Sequence, residues 1–241
     1  MARHIESVFV GPKSETTIVM LHEGLGSVSA WRDFPSLVSQ ATGLGVFVYS
    51  RLGYGRSDPV PLPRPLRYMH DEAAMLPELL KDIKKPILLG HSDGASIAII
   101  AAGSGLDARG LALLAPHVFC EDRSIDGIEK ARDAYEHGDL RARLAKHHEH
   151  VDVAFWGWNR AWLDPGFRAW NIEEYLPRID APVLVVQGDA DPYGTLAQVD
   201  AIERGVPVGI TRVILSGTGH APHRERQAET LEAIRAFVSR I

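Results

Sequence analysis

Short apolar runs alternate with longer segments of helical periodicity along most of the chain, and this alternation restricts the fold more than any other feature. Each run has the length and the β-branched composition typical of a strand. The predicted strands are Ile5–Val10, Thr17–Leu21, Val46–Ser50, Ile87–Gly90, Leu111–Ala115, Val183–Gln187 and Arg212–Leu215. Several are unbroken apolar runs, as expected for strands buried on both faces. We therefore predict an α/β fold with a mostly parallel, doubly wound sheet covered by helices.

Residues 120–180 interrupt this alternation, because about 60 residues separate two predicted strands, far more than an ordinary crossover needs. Two helices are predicted in its first half, Ile125–His137 and Leu140–His150. An aromatic run follows, with four of the five tryptophans of the chain: Phe155, Trp156, Trp158, Trp162, Phe167, Trp170 and Tyr175. We predict that residues 120–180 form a helical cap inserted into a core made of residues 1–119 and 181–241.

The composition argues against several classes of partner. The 241 residues carry a net charge of -5, with a pI near 6.1, whereas nucleic acids and anionic membranes are bound through basic patches. No leader-like apolar segment lies in Met1–Val10, and no apolar run approaches the roughly 18–20 residues of a membrane helix. The only cysteine, Cys120, fits a reducing compartment. We expect a cytoplasmic monomer or homodimer that acts on a small-molecule substrate.

The segment Gly90-His91-Ser92-Asp93-Gly94 follows a predicted strand and precedes an apolar run compatible with a helix. A serine between glycines at this spacing is typical of a nucleophile elbow, a sharp turn that exposes the serine hydroxyl. Side chains two positions before and after the serine would collide in so tight a turn, which accounts for both glycines. The alternative is an ordinary strand–turn–helix junction with an incidental serine.

Two further loops carry an acid and a base. Asp189 and Asp191 follow the sixth predicted strand, and His220 follows the seventh, where parallel-sheet proteins build their sites. The chain order Ser92, Asp191, His220 is the order of the α/β-hydrolase fold. A serine hydroxyl is a poor nucleophile until an imidazole takes its proton, and the imidazole needs a carboxylate to hold its tautomer.

A fourth loop, Leu21-His22-Glu23-Gly24-Leu25-Gly26-Ser27, directly follows the second predicted strand. A glycine-bearing loop at this place can aim a backbone N–H at the oxyanion that develops during acyl transfer. The backbone N–H of Asp93 is the predicted second donor.

Taken together, the motifs resemble the α/β-hydrolase superfamily over nearly the whole chain. The matching landmarks are the His22–Gly26 loop with Trp31 downstream, Arg51-Leu52-Gly53-Tyr54-Gly55-Arg56-Ser57, the elbow, Gly188-x-x-Asp191 and Gly219-His220. The resemblance implies a triad of Ser92, Asp191 and His220, with Asp191 favoured over Asp189. It also implies that the loop donor is the N–H of Gly24, with Leu25 as the alternative.

Some positions depart from the family pattern. Glu23 stands where the family usually has glycine, and Ala95 replaces the usual second glycine after the elbow. Because position 92 is serine, the dehalogenase and epoxide-hydrolase members, which use aspartate, are disfavoured. The Ser92-Asp93 pair resembles the biphenyl-hydrolase-like group, in which the aspartate of some members meets a substrate amine. The alternative is a carboxylate that is stabilised at a helix N-terminus.

We predict that the substrate contacts Glu23, Leu25, His91, Trp156, Trp158 and Trp162, although the cap aromatics could instead be core and His91 structural. The predicted function is hydrolysis of an ester or thioester of a small apolar or aromatic acid, without cofactor or metal. Two alternatives stay open. One is C–C bond hydrolysis of a meta-cleavage-type diketone, and the other is a ligand-binding receptor that kept the fold.

Overall fold

The computed structural model describes residues 3–13 and 15–241, so that residues 1, 2 and 14 of the predicted core lie outside the described part. Within the described residues, seven strands form one sheet in the order β1-β3-β2-β4-β5-β6-β7. The strands are β1 (Ser7–Val10), β2 (Thr17–Leu21), β3 (Gly45–Tyr49), β4 (Ile87–His91), β5 (Gly110–Leu114), β6 (Val183–Gly188) and β7 (Ile210–Leu215). All neighbours pair in parallel except β1, which is antiparallel to β3. The predicted α/β class and mostly parallel sheet are confirmed.

Helices cover both faces of this sheet. They are α1 (Phe34–Thr42), α2 (Tyr68–Leu79), α3 (Asp93–Gly103), α4 (Asp122–Glu136), α5 (Leu140–Leu144), α6 (Val151–Leu163), α7 (Leu196–Gly205), α8 (Pro222–Glu225) and α9 (Gln227–Val238). No helix within the described ranges is long and apolar enough to span a membrane.

Alternate residues of the central strands pack against opposite helical layers, as the pleat requires. In β2, Ile18 and Met20 join the core built with α1 and α9, whereas Val19 and Leu21 join the core built with α2, α3 and α7. All four side chains are fully buried. The unbroken apolar composition of these strands follows from this two-sided burial. The parallel pairing from β2 to β7 places the carboxyl ends of β2, β4, β6 and β7 at one edge of the sheet, where the loops with the predicted site residues begin.

The segment between β5 and β6 contains α4, α5, α6 and two short 3-10 helices, Pro165–Ala169 and Glu173–Arg178. The predicted helix Leu140–His150 begins where it was expected, but its predicted end is wrong, because α5 ends at Leu144. The chain leaves the helix there and turns His148 inward, where its ring bonds the backbone of Gly55 and Leu25. Part of the aromatic run forms α6, a helix that the sequence analysis did not predict. The division into a core and an inserted cap stays a prediction.

Candidate active site

Ser92 occupies the turn between β4 and α3 with φ of 53° and ψ of -119°. A positive φ is strained for a residue with a side chain and persists only where the surroundings enforce it. Here the Ser92 N–H donates to the carbonyl of Leu114 in the adjacent strand (2.9 Å), and the Ser92 carbonyl accepts from Ala95 (2.8 Å). The strained turn therefore is held by the sheet on one side and by α3 on the other.

The two glycines of the elbow are needed for different reasons. A Cβ on Gly90 would lie 2.4 Å from the carbonyl oxygen of Gly94, which is the collision across the turn that the sequence predicts. A Cβ on Gly94 would instead lie 2.1 Å from the carbonyl oxygen of Leu21. Gly94 thus allows α3 to approach the end of β2, and this close approach brings the predicted oxyanion loop next to Ser92.

A continuous chain of hydrogen bonds joins the three predicted triad residues. The distance from His220 Nε2 to Ser92 Oγ is 2.9 Å, and that from His220 Nδ1 to Asp191 Oδ2 is 2.7 Å. Asp191 also accepts from the side chain of Gln187 at Oδ2 (2.8 Å) and from the backbone N–H of Tyr193 at Oδ1 (2.8 Å). All the hydrogen bonds that this carboxylate makes with the described residues are ones it accepts.

The position of the hydrogen on the His220 ring follows from the ionisation state of the Asp191 carboxylate. Burial alone would raise the pKa of Asp191, but the hydrogen bond and charge of His220 and the Tyr193 N–H lower it to about 2. An ionised carboxylate only accepts, so the hydrogen of a neutral His220 ring lies on Nδ1. Nε2 then presents a lone pair to the hydroxyl of Ser92, as a general base must.

Asp189, the alternative acid, lies away from this chain. Its side chain is exposed, and its Oδ1 accepts from the backbone N–H of Gly217 at 2.6 Å. The structure brings Asp191, and not Asp189, to His220.

Gly24, Leu25 and Asp93 line the same cavity as Ser92. Among the hydrogen bonds of the described residues, none uses the backbone N–H of Gly24 or of Asp93. Glycine is required at position 24, because a Cβ there would lie 2.1 Å from the indole nitrogen of Trp158. Both N–H groups are therefore available as donors beside Ser92. Their role in an oxyanion hole stays a prediction.

The cavity has a volume of about 260 Å³. Five of the six predicted substrate contacts line it: Glu23, Leu25, His91, Trp158 and Trp162. Trp156 lies outside, where it packs edge-on against Tyr135 and Phe155 below the guanidinium of Arg160. The reason is helical phase. Positions 158 and 162 are four residues apart and share a face of α6, whereas position 156 faces the opposite direction.

His117, Ile128, Tyr193 and Arg224 line the cavity as well. The sequence analysis did not single out Ile128, Tyr193 or Arg224, although Tyr193 lies two residues after the predicted acid. The ring of His117 is 5.5 Å from that of His220. Burial and the neighbouring His220 lower the pKa of His117 to about 3, so this ring is neutral. Its Nδ1 has no hydrogen-bond partner among the described residues.

Glu23 belongs to a charged cluster at one side of the cavity. Its carboxylate lies 3.5 Å from His91 Nδ1 and 3.9 Å from the guanidinium of Arg224. Burial alone would raise the pKa of Glu23, but the attraction of these two neighbours lowers it well below its usual value. On its other side, His91 Nε2 donates to the backbone carbonyl of His220 (2.7 Å). Glu23, an unusual residue at this position of the family, is thus linked through His91 to the loop of His220, the predicted general base.

The carboxylate of Asp93 is buried beneath the cavity. Its Oδ2 accepts from the hydroxyl of Tyr68 (2.5 Å) and lies 3.7 Å from Nη1 of Arg51. Burial raises the pKa of Asp93, although Arg51 and Tyr68 counteract this shift. These partners favour a role inside the protein over contact with a substrate amine. Within the described ranges, no group of three or more His, Cys, Asp and Glu side chains is arranged to hold a metal ion.

Comparisons with known proteins agree with the observed fold. Residues 18–233 match the model of the alpha/beta hydrolase family, and no curated protein gives a significant match. The fold is similar to the enol-lactonase from Burkholderia xenovorans LB400 (19% identity, TM-score 0.76, 98% of this chain and 97% of that chain). It is also similar to the proline iminopeptidase of Mycobacterium smegmatis (18% identity, TM-score 0.76, 99% of this chain and 95% of that chain). A third similar structure is Est816, described as an N-acyl homoserine lactone degrading enzyme (24% identity, TM-score 0.71, 98% of this chain and 97% of that chain). The chain belongs to the alpha/beta hydrolase family, and this membership supports a hydrolase activity.

Proposed function

We propose that this protein is a serine hydrolase that cleaves a carboxylic ester or thioester of a small apolar or aromatic acid. The observation that carries the proposal is the chain of hydrogen bonds from Ser92 through His220 to Asp191, at 2.9 and 2.7 Å. A serine, a base that accepts its hydrogen and an ionised acid that orients the base are the parts that acyl transfer requires.

In the acylation step, His220 Nε2 takes the hydroxyl hydrogen of Ser92 while Oγ attacks the carbonyl carbon of the substrate. The carbonyl π-bond opens, and the resulting oxyanion accepts hydrogen bonds from the backbone N–H groups of Gly24 and Asp93. Asp191 stabilises the imidazolium that forms on His220. The tetrahedral intermediate then collapses, the bond to the leaving group breaks, and His220 gives its proton to the departing alkoxide or thiolate.

Deacylation repeats these steps with water as the nucleophile. His220 takes a proton from water, the hydroxide adds to the acyl-enzyme carbonyl, and the same two N–H groups stabilise the oxyanion. Collapse breaks the bond to Ser92 Oγ, which recovers its hydrogen from His220. The free acid leaves, and the enzyme returns to its starting protonation state.

The size and lining of the cavity support a small substrate. Its volume of about 260 Å³ lies just below the roughly 300–1,000 Å³ typical of sites for drug-sized ligands. Trp158, Trp162 and Ile128 provide an apolar wall that suits an alkyl or aryl group. Two of the structurally similar proteins are named for lactones, which are cyclic esters, so lactones belong among the candidate substrates.

Covalent labelling tests the nucleophile. A fluorophosphonate should react with the wild-type enzyme, and mass spectrometry should locate the adduct on the peptide that contains Ser92. Ser92→Ala should abolish both labelling and turnover. Ser124→Ala is the matched control, because Ser124 lines the same cavity but its hydroxyl donates to the carbonyl of Tyr193, and no histidine of the described residues forms a hydrogen bond with it. Labelling that survives in Ser92→Ala would contradict the proposal.

A substrate panel then tests the bond that is cleaved. Aryl esters, thioesters, lactones and a meta-cleavage-type diketone should be compared by kcat/KM with matched acyl groups. We expect turnover of esters or thioesters above that of the diketone. Preference for the diketone would establish C–C bond hydrolysis instead. Binding of these compounds without any turnover would favour a receptor.

A further inference from the structure

The side chain of Arg51, which follows β3, is completely buried. A guanidinium carries five N–H donors and keeps its charge, so burial is tolerated only where acceptors and a counter-charge surround it. The acceptor and the counter-charge for Arg51 lie on the two chain segments that contain the predicted oxyanion donors. One segment is the Glu23–Gly24 peptide after β2, and the other is Asp93 at the start of α3.

The first contact fixes the carbonyl oxygen of Glu23. Arg51 Nη2 donates to this oxygen at 2.8 Å, and His22 Nδ1 lies 2.7 Å from it. His22 Nε2 accepts from the backbone N–H of Arg51 (3.1 Å), so the hydrogen of the ring is on Nδ1, which donates to Glu23. Burial and the charge of Arg51 lower the pKa of His22 well below its usual value, so the ring keeps this neutral tautomer. The backbone N–H of Gly26 donates to the same oxygen at 3.1 Å, so three donors hold this carbonyl, and Arg51 is the only one of them that carries a charge.

The orientation of that carbonyl determines where the next N–H points. The carbonyl of Glu23 and the N–H of Gly24 belong to one planar trans peptide, so they point in opposite directions. With the oxygen directed at the buried Arg51, the N–H of Gly24 is directed to the other side of the loop. Gly24 and Ser92 line the cavity on that side. The donor is thus held in place before any substrate binds.

The second contact concerns charge. Arg51 Nη1 lies 3.7 Å from Asp93 Oδ2, and no other ionisable cation lies as close to this buried carboxylate in the recorded ion pairs of the described residues. Asp93 is the first residue of α3, where a backbone N–H has no partner within the helix. Its own negative charge therefore lies beside the place where the substrate oxyanion would form. Without Arg51, this charge would oppose the oxyanion that the N–H of Asp93 is expected to stabilise.

We propose that Arg51 is the positioning residue of the oxyanion hole, holding the N–H of Gly24 toward Ser92 and compensating the charge of Asp93. The inference rests on the proposed acyl transfer at Ser92. Arg51 does not touch the substrate and acts only through these two segments.

Arg51→Met tests the proposal, because methionine fills a similar length without donors or charge. Arg64→Met is the matched control. Arg64 is also buried, lies over the same ring of Tyr54, and pairs with Glu72 (3.5 Å), but it donates to the carbonyl of Leu52. Arg51→Lys is the second variant if Arg51→Met does not fold, since a lysine keeps the charge near Asp93 but lacks the planar fork that serves both segments.

The readout is the affinity for an alkyl trifluoromethyl ketone, which adds to a serine and leaves an oxyanion, compared with the matching methyl ketone, which does not. We expect Arg51→Met to weaken the trifluoromethyl ketone and to lower kcat by about 10- to 100-fold, less than the roughly 10²–10³ for complete loss of one donor. The affinity for the methyl ketone and KM should change by no more than about twofold, as for a transition-state interaction. Arg51→Lys should show the same selective loss, about tenfold.

Arg64→Met should leave the ratio of the two inhibition constants at the wild-type value even if its thermal stability falls. The inference is overturned if the folded Arg51 variants keep the wild-type ratio, or if Arg64→Met changes the ratio as much as they do. A wild-type enzyme that is neither inhibited by the trifluoromethyl ketone nor labelled by a fluorophosphonate would contradict the proposed function itself. The inference would then fall with it.

Discussion

Replacing Asp191 with asparagine changes one oxygen of the carboxylate to an NH₂ group. It tests whether this carboxylate fixes the tautomer of His220 and thereby enables His220 to accept the hydrogen of Ser92. Tyr193 N–H donates to Oδ1, and both Gln187 and His220 donate to Oδ2. Asparagine has the same shape, but one of its two positions is an NH₂ group. Because the backbone N–H of Tyr193 cannot become an acceptor, the amide oxygen should take the Oδ1 position. The NH₂ group of Asn then faces His220.

A donor facing His220 Nδ1 requires a lone pair there, so the ring hydrogen moves to Nε2. A ring protonated at Nε2 cannot accept the hydroxyl hydrogen of Ser92, and general-base catalysis is lost. In the serine-protease template the corresponding substitution lowers kcat by about 10⁴ through the wrong tautomer. We expect a decrease of the same order for Asp191→Asn.

The substitution should also lower stability in a pH-dependent way. The donors around Asp191 lower its pKa from 3.8 to about 2 in spite of burial. At about 1.4 kcal/mol per pKa unit, this shift corresponds to about 2 kcal/mol of folding free energy. Because the pKa is lower in the folded state, the contribution is present at neutral pH and is lost as the pH falls from about 4 to about 2. Asp191→Asn should therefore be less stable than the wild type at pH 7 but not near pH 2.

Initial rates with p-nitrophenyl butyrate give kcat, and urea unfolding at several pH values gives the free energy of unfolding. Asp189→Asn is the matched control, because the side chain of Asp189 forms a hydrogen bond with the backbone N–H of Gly217 and none with His220 in the described part of the chain. This substitution should cost no more than about 1 kcal/mol and change kcat little. The reasoning is refuted if Asp189→Asn is the more damaging variant. It is also refuted if Asp191→Asn keeps more than about a tenth of the wild-type kcat, which the wrong tautomer does not allow.

Three further substitutions test the walls of the site. Trp158→Ala should change the ratio of kcat/KM between aryl and short aliphatic esters, because Trp158 lines the cavity. Trp156→Ala should lower only the melting temperature, because Trp156 packs outside the cavity. If both variants gave the same ratio, the assignment of positions 156 and 158 to opposite faces of α6 would be contradicted. His117→Phe removes the neutral ring nitrogens from the wall of the cavity. If these nitrogens contact a polar substrate group, kcat/KM for hydroxyacyl esters should fall by about tenfold relative to unsubstituted acyl esters. An unchanged ratio would argue against such a contact between His117 and the substrate. Gly94→Ala places a Cβ 2.1 Å from the carbonyl oxygen of Leu21 and should cost about 1–3 kcal/mol; a melting temperature within about 2 °C of wild type would contradict this.

The three triad candidates could be identified from sequence because their signals are local. Each of Ser92, Asp191 and His220 lies in a short loop just after an apolar run, and parallel strands bring such loops to one edge of the sheet. The choice of Asp191 over Asp189 came from the resemblance of Gly188-x-x-Asp191 to the acid loop of the family, and the structure places Asp191 against His220 and Asp189 against Gly217. No long-range contact has to be known for these assignments.

The supporting contacts could not be predicted, because they join segments that are distant in the chain. Arg51 meets the carbonyl of Glu23 across 28 positions, and His148 meets that of Leu25 across 123. Sequence periodicity indicates which face of an element is buried but not which segment covers it. The same limit applies to Trp156, since its direction depends on the phase of a helix that was not predicted.

The segment between β5 and β6 is tied to the acid loop of the site. At the first turn of α4, Arg123 Nη1 donates to the carbonyl of Asp191 (2.8 Å), and the hydroxyl of Ser124 donates to that of Tyr193 (2.6 Å). Both acceptors belong to the loop that orients His220. A shift of α4 would therefore move the acid.

The same segment is tied to the predicted oxyanion loop. His148 Nδ1 accepts from a backbone N–H, so its Nε2 carries the hydrogen and donates to the carbonyl of Leu25 at 2.9 Å. The indole of Trp158 packs so closely on Gly24 that no side chain fits there. Under the proposed mechanism, a change in this wall would also move the groups expected to act on the reacting carbonyl. We therefore expect substitutions in the wall to change selectivity and kcat together, in contrast to an enzyme whose cap is loosely attached.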